Sequence, residues 1–324
     1  MEISCAFPPS RSAVDYTVLA EQLGFRRAWF YDSPAFYPDV WVMLALAAER
    51  TGRIGLGPAT LIPHLRHPMT QAAAIATLAD MAPRRLAVAI STGYTGRRAM
   101  GKPQLTRSYF ERYIRQLMAL LRGETVEVDG AMVRMLHPDG YGAARPIDVP
   151  ILVGGNGPRG QAFAREIDAA GIVTSAQTVV SGFDWVSPLA FGTVLDEGES
   201  PTSPRALAAT EGGLVGRYHG AWERDRAALP GLPRGGQWLA AIERIPERER
   251  HLAVHEGHLV APSTVDRSVL DFSELPAALL TGTPADVRER IGALEANGAT
   301  EVMWQPMGPD IGREMRTFAN ALGL

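Results

Sequence analysis

The stretch Val149–Arg159, VPILVGGNGPR, runs an apolar segment into the glycines Gly154, Gly155 and Gly157 and then into the helix-like QAFAREIDAAG. A strand that ends in glycines and hands over to a helix gathers backbone N–H groups and a positive helix end at one point, which suits an anion such as a phosphate. Pro158 supports the helix start, because its fixed φ suits the first helical position. Turns of this kind also join strands to helices with no ligand at all, and the motif alone leaves both readings open. Other residues could do acid–base or metal chemistry. Asp32, after the apolar run RAWFY, could orient a ligand or cap the turn into the next helix. His64 and His67 flank the exit of another apolar run, His64 nearer its end. His251, His255 and His258, in HLAVHEGH, have a spacing that could put imidazoles on one helix face. No carboxylate partner is evident for them, so no metal site is expected and His255 is read as a substrate-lining or structural residue.

The rest of the chain must position these groups. Its 324 residues, 46% hydrophobic, suffice for a large core, and a net charge of -3 with mixed signs offers no basic face to nucleic acid. No apolar run approaches the roughly 18 residues of a membrane span. The N-terminus MEISCAFPPS carries no basic region followed by an apolar one, so a cytoplasmic protein is expected. A single cysteine, Cys5, excludes an internal disulfide and a cysteine-based metal cluster.

Along the chain, apolar runs alternate with helical patterns. Runs over 3–7, 27–31, 54–61 and 86–90 are separated by helices over 12–23, 39–50 and 68–81, with Asp39 as a plausible N-cap. An amphipathic helix over 107–121 is followed by TVEVDGAMVRM, whose Asp129-Gly130 marks a hairpin. Further runs lie at 151–154, 172–175 and 189–195. A charged, helix-forming insertion occupies about 197–280. Thr283-Pro284 then starts a helix, EVMW gives an eighth run over 301–304, and a last helix follows. Uniformly apolar runs between helices predict parallel strands covered on one side. Eight of them in one chain predict a single-domain (β/α)8 TIM barrel with insertions after strands four and seven.

The functional face of such a barrel is at the C-terminal strand ends. Here these are Pro8-Pro9, Asp32-Ser33, 59–64, 92–94, 154–157, 175–178, Asp196 and 305–307. They contain no paired carboxylates, nucleophile elbow or strong metal spacing, which points away from hydrolysis and towards chemistry carried by a cofactor.

The segments AEQLGFRRAWFYDS (20–33), GPATLIPHLRHP (57–68), STGYTGRRAMGKP (91–103), VPILVGGNGP (149–158) and TGTPADVRERIGALEANGATEVMW (281–304) resemble the luciferase-like flavin oxidoreductase superfamily. The resemblance is to its branch with methylenetetrahydromethanopterin reductase and the deazaflavin-dependent dehydrogenases. It implies a barrel that holds coenzyme F420 or FMN across its C-terminal mouth. Gly154, Gly155, Asn156, Gly157 and Pro158 would surround the cofactor phosphate. Thr92, Gly93 and Tyr94 would approach the cofactor chain. Ala59-Thr60 would form a non-prolyl cis peptide against the ring. The catalytic group is not fixed, the candidates being Asp32, His64 and His255. Two departures stand out: Ser33 follows Asp32 where related dehydrogenases often carry histidine, and the first strand ends in Phe7-Pro8-Pro9 rather than a carboxylate.

The resemblance implies an oxidoreductase acting on a small-molecule substrate, as a dimer, by F420-dependent hydride transfer. The alternatives are an FMNH2-dependent two-component monooxygenase served by a flavin reductase, and a non-catalytic flavin-binding barrel.

Overall fold

The computed structural model of the chain describes residues 1–175 and 178–324. Eight parallel strands lie in the spatial order β3-β2-β1-β10-β9-β8-β7-β4. They are β1 (Glu2–Phe7), β2 (Arg27–Phe30), β3 (Gly55–Pro58), β4 (Val88–Ile90), β7 (Ile151–Gly154), β8 (Gly171–Thr174), β9 (Val186–Phe191) and β10 (Glu301–Gln305); β5 (Val126–Val128) and β6 (Ala131–Val133) form the hairpin expected around Asp129-Gly130. The two outer strands meet through parallel bridges, Leu56 to Leu86 and Leu61 to Ile90. There the Leu61 amide donates to the Ala89 carbonyl at 2.8 Å and the Ser91 amide to the Leu61 carbonyl at 3.1 Å. This is the predicted (β/α)8 barrel, nearly closed on itself.

Period-2 alternation explains why both faces of each strand are apolar. Ala6, Trp29, Ala87, Ala89, Leu152, Val173 and Met303 pack together in the interior, whereas Cys5, Phe7, Phe30, Val88, Ile90, Val153 and Trp304 pack outwards among the helices. Small residues on β1 and β4 make room for the Trp29 indole inside. Gly57 completes this fit: a Cβ there would lie 2.2 Å from the Ala87 carbonyl oxygen and 2.7 Å from the Trp29 ring.

The outer layer begins with α1 (Arg11–Gln22), α2 (Val40–Arg50) and α3 (Pro68–Met81). After β4 come α4 (Tyr94–Arg98) and α5 (Arg107–Arg122), and after β7 comes α6 (Pro158–Glu166). Asp39 caps α2 as expected, accepting from the amides of Trp41 at 2.8 Å and Val42 at 3.2 Å.

The insertion between β9 and β10 carries α7 (Pro204–Ala208), α8 (Glu211–Leu214), α9 (Gly216–Arg224), α10 (Gly235–Glu243), α11 (Arg250–His255) and α12 (Thr264–Val269). It has its own core, built on Tyr218, Trp222, Leu229, Trp238, Ile242 and Val254. The chain then returns through α13 (Pro284–Ala296), β10 and α14 (Ile311–Leu322). A capping box starts α13, with Thr283 and Asp286 satisfying each other's backbone amides.

The seventh barrel strand departs from the sequence reading. It spans Val186–Phe191 rather than 189–195, because Ser187-Pro188 hides its start from an apolar-run criterion. The later part of the expected run pairs elsewhere, with Val194 bridging to Gly282 where the insertion returns.

Arg205 anchors the insertion to the barrel. It donates to Glu199 at 2.8 Å, Thr193 at 2.9 Å and the buried Glu314 at 2.8 Å. The hydrogen bonds from Arg205, opposed by some loss of solvent and joined by those from Ser203 and the Asp196 amide, push the Glu199 carboxyl down to about 2. A carboxyl held below its ordinary 4.5 stabilises the fold above that value and loses the contribution as pH falls towards about 2. Glu199→Gln should therefore flatten the acid limb of the stability curve in that window, as read by urea denaturation at stepped pH. An unchanged limb would show that the anchor does not depend on this charge.

Candidate functional site

At the C-terminal end of the barrel a cleft of about 550 Å³ opens between the strand exits and the insertion. One wall is made where β3, β4 and β7 converge, by Ala59-Thr60, Ser91 to Tyr94 and Gly154 to Asn156. The hydroxyls of Thr60 and Ser91 lie 2.6 Å apart, tying the first two exits together. The third can approach them only because Gly154 has no side chain, since a Cβ would come within 2.7 Å of that of Ser91 and 3.1 Å of the Thr60 methyl. Gly93 is constrained twice: its φ is +75°, and a Cβ would meet the Ile62 side chain at 2.5 Å. The peptide bond between Ala59 and Thr60 is cis, as expected from the resemblance.

The opposite wall comes from α9 and the turn after α11, with Glu223, Arg224, His258 and Leu259. Arg98, at the end of α4, bridges the two sides by pairing with Glu223 at 3.2 Å. The Arg224 guanidinium carbon stands 5.7 Å from the centre of the Tyr94 ring, whose buried hydroxyl has no hydrogen-bond partner within 3.5 Å among the described residues.

Most groups at the mouth that could move a proton are engaged. Asp32 is buried and accepts from Arg66 Nη1 at 3.0 and 2.9 Å and from the Ile62 amide at 3.2 Å. Burial still outweighs those contacts and raises its carboxyl above the ordinary range. Asp32 therefore fixes the loop after β3 through Arg66, which also holds Asp39 at 2.7 Å. It does not cap α2. Tyr31 donates to Gln305 at 2.6 Å, and Tyr37 donates to the His258 carbonyl. Burial pushes both phenols up, out of the range of a base near neutral pH.

The predicted site residues fall into three groups. Ala59, Thr60, Thr92, Gly93, Tyr94, Gly154, Gly155, Asn156 and Asp32 all line the cleft. Gly157 and Pro158 lie just past the lining, at the cap and first position of α6, where Gly157 supplies no side-chain cap. Asn156 is partly committed, its amide group bonding to the Ser175 hydroxyl at 3.0 Å and its side-chain oxygen accepting from the Ser175 amide at 3.0 Å. Of the sixth exit, expected over 175–178, Ala176 and Gln177 lie outside the described residues.

The histidines depart from expectation. His64 is absent from the lining, and loss of solvent, with Arg97 nearby, lowers its affinity for a proton. His255 lies in an adjoining cavity of about 460 Å³, with Phe36 and Tyr37. The cluster read from HLAVHEGH does not form, for His251 lies apart, against Gly101. His219 of α9 takes its place beside His255 and His258, with ring centres 5.8 to 5.9 Å apart. Carboxylate partners do exist. His219 Nε2 is 3.2 Å from Asp266 and His255 Nε2 is 3.1 Å from Glu223. Both acids come from helices distant in sequence, so spacing could not reveal them.

Sequence reasoning also missed Arg98, Glu223 and Arg224 on the cleft wall. Arg98 stood in a segment that carried the resemblance, STGYTGRRAMGKP, but no pattern singled it out. Glu223 and Arg224 belong to the insertion, where nothing marked them apart from other surface charges.

Comparison with known proteins accords with this arrangement. Residues 4–180, more than half of the chain, match the model of the luciferase-like monooxygenase family. A 5,10-methylenetetrahydromethanopterin reductase of Archaeoglobus fulgidus is 28% identical over 315 residues, covering 91% of this chain and 90% of that one. An F420-dependent glucose-6-phosphate dehydrogenase of Beutenbergia cavernae is 33% identical over 187 residues, a match that spans 52% of this chain and only about half, 53%, of that enzyme. Among solved structures, the coenzyme F420-dependent tetrahydromethanopterin reductase of Methanopyrus kandleri superposes with a TM-score of 0.69 at 21% identity, covering 99% of each chain, a likeness of fold alone. Together with the barrel and its cleft, these matches establish that the chain belongs to the luciferase-like monooxygenase family.

Proposed function

We propose that the chain is an oxidoreductase that uses coenzyme F420 for hydride transfer to or from a small organic substrate. The observation that carries this reading is the convergence of three strand exits, two of them glycine-bearing, on one wall of the cleft. The name of the Beutenbergia cavernae relative, an F420-dependent glucose-6-phosphate dehydrogenase, supports the choice of F420. The residues present fit such a group: Gly93 and Gly154 let the exits of β4 and β7 close up against Ile62, Ser91 and Thr60, and α6 begins without a side-chain cap among the described residues, leaving the Arg159 amide of its first turn to meet a phosphate, since Pro158 has no N–H and the Gly160 and Gln161 amides donate to the Gly157 carbonyl. Arg98 and Arg224 add positive charge beside the cleft. When bound, the deazaflavin supplies the hydride chemistry.

The chain's own residues bind and orient. Ala59 and Thr60 bring backbone against the wall on which the ring would rest, and the tie between Thr60 and Ser91 keeps β3 and β4 from separating. The Tyr94 hydroxyl is the one phenol of the cleft left without a partner among the described residues, which makes it the donor for a polar atom of the ligand. Alcohol oxidation requires a base to take a proton as hydride leaves. Asp32, Tyr31 and Tyr37 are committed elsewhere and Glu223 is ion-paired, which leaves Tyr94 and His258 as the groups on the cleft wall able to move that proton; reduction of an electron-poor double bond, whose carbon can take its proton from solvent, makes the smaller demand on them.

Oxygen dependence tests this reading. Reduced F420 should be reoxidised by an activated alkene substrate at the same rate with and without oxygen. Oxygen uptake coupled to substrate oxygenation, with reduced FMN as the only cofactor supplied, would overturn it in favour of a two-component monooxygenase.

A further inference from the structure

We propose that His219, His255 and His258 form a three-histidine binding site for one divalent transition-metal ion of the zinc class, set between the insertion and the cofactor cleft. One ring nitrogen from each lies within 4.8 Å of the others. The three belong to different places in the insertion, α9, the end of α11 and the turn beyond it, so folding alone brings them together.

The hydrogen bonding indicates which nitrogen faces the centre. His219 Nε2 lies 3.2 Å from the Asp266 carboxylate, which also accepts from the Trp238 indole N–H at 2.7 Å and from the Ser263 amide at 2.8 Å. His255 Nε2 lies 3.1 Å from the Glu223 carboxylate, which the Arg98 guanidinium also faces at 3.2 Å. Ionised acids can only accept, so His219 and His255 must donate their Nε2–H groups outwards. Each is left with a bare Nδ1 lone pair. The Nδ1 atoms of His219, His255 and His258 are all buried and, among the described residues, without a hydrogen-bond partner. His219 is 2% exposed and His255 1%, so bulk solvent does not reach them. Three buried ring nitrogens without a protein partner are costly in an apolar setting unless a donor or a cation joins them.

The outer contacts match what a coordinating imidazole requires. A ligating histidine usually donates its second N–H to a carboxylate, which fixes ring orientation and raises ligand basicity. Asp266 and Glu223 do this for two of the three. At a metal–nitrogen distance of about 2.0–2.1 Å, tetrahedral ligand atoms are about 3.3 Å apart. The imidazoles therefore need to close by about 1.5 Å at most, a movement within reach of side-chain rotation. An all-imidazole set suits zinc, copper, nickel or iron and disfavours magnesium and calcium. Three protein ligands also leave a tetrahedral ion one position for water or a substrate oxygen. Because His258 and Glu223 line the cleft, that ion would stand at its wall. It would also pin α9 to α11 and so hold the insertion over the mouth.

This site is independent of the cofactor reading, and its test measures metal rather than turnover. The untagged full chain, stripped with chelator, is titrated with Co²⁺ and followed by visible absorption, with Zn²⁺ competition by calorimetry. The expected result is one equivalent bound at micromolar affinity or better, with the intense bands of tetrahedral nitrogen ligation, displaced by Zn²⁺. His219→Ala and His258→Ala should each weaken binding at least tenfold, while His251→Ala binds as the wild type does. Should those variants fail to fold, X-ray absorption of the Zn²⁺-loaded wild type decides: three imidazoles support the site, and one or none overturns it. Absence of stoichiometric Co²⁺ or Zn²⁺ binding by the wild type also overturns it.

Discussion

Gly157→Glu is expected to weaken F420 binding about a hundredfold or more while leaving the fold intact. Gly157 is the cap residue of α6, with an ordinary φ of -96° and, among the described residues, no atom within 4 Å of the position its Cβ would take. A longer side chain is therefore accommodated without backbone strain, and stability should change by no more than about 0.5 kcal/mol, as for surface substitutions generally. Binding is another matter. The new carboxylate would stand at the positive N-terminal end of α6, where the phosphate is proposed to sit, and opposed like charges cost several kcal/mol. Fluorescence titration together with thermal melting separates the two effects. Unaltered affinity in a folded variant would remove α6 from the cofactor site.

The second large effect concerns stability. Arg66→Ala should destabilise the protein by about 3–5 kcal/mol, the usual consequence of removing one partner from a buried ion pair. Arg66 is 13% exposed in its side chain and Asp32 only 2%, so without the guanidinium the carboxylate is left buried with the Ile62 amide as its remaining donor. The carboxyl is already raised by burial, and losing Arg66 removes the largest opposing influence. The variant should therefore take up a proton at a higher pH than the wild type and be least stable where Asp32 is forced to ionise. Arg66→Met combined with Asp32→Leu, which removes both charges, should cost distinctly less. Urea denaturation of the single and double variants is the measurement, and equal losses in both would show that packing, not the uncompensated charge, sets the effect.

Much of the architecture was legible because its cause is periodic. Ala6, Ala87 and Ala89 alternate with Cys5, Val88 and Ile90, and this two-sided apolar pattern is what a covered parallel strand requires. Caps at Asp39 and Thr283 could be read for the same reason, since each acts on amides two or three residues away. The cleft wall formed by 59–60, 92–94 and 154–156 followed from placing strand exits on one face of a barrel. What could not be read depends on contacts with no local signature. Asp32 looked equally suited to a ligand or a cap, and its true partner, Arg66, becomes visible only once the loop after β3 folds back. His251 shares a spacing with His255 and His258, yet His219 completes their cluster, because the fold of the insertion brings His219 of α9 against the end of α11 and the turn beyond it. The insertion's helices are short and interrupted by Gly212, Gly213 and Gly216, which blurs the periodicity that marked the barrel.

The central claim is that this cleft is built for a deazaflavin, and equilibrium titration of the purified chain with oxidised F420, set against FMN, tests it most directly. Saturable one-to-one binding of F420 at micromolar affinity, tighter than that of FMN and weakened by Gly157→Glu, is the predicted result. Failure of F420 to bind, or clear preference for FMN, would contradict it.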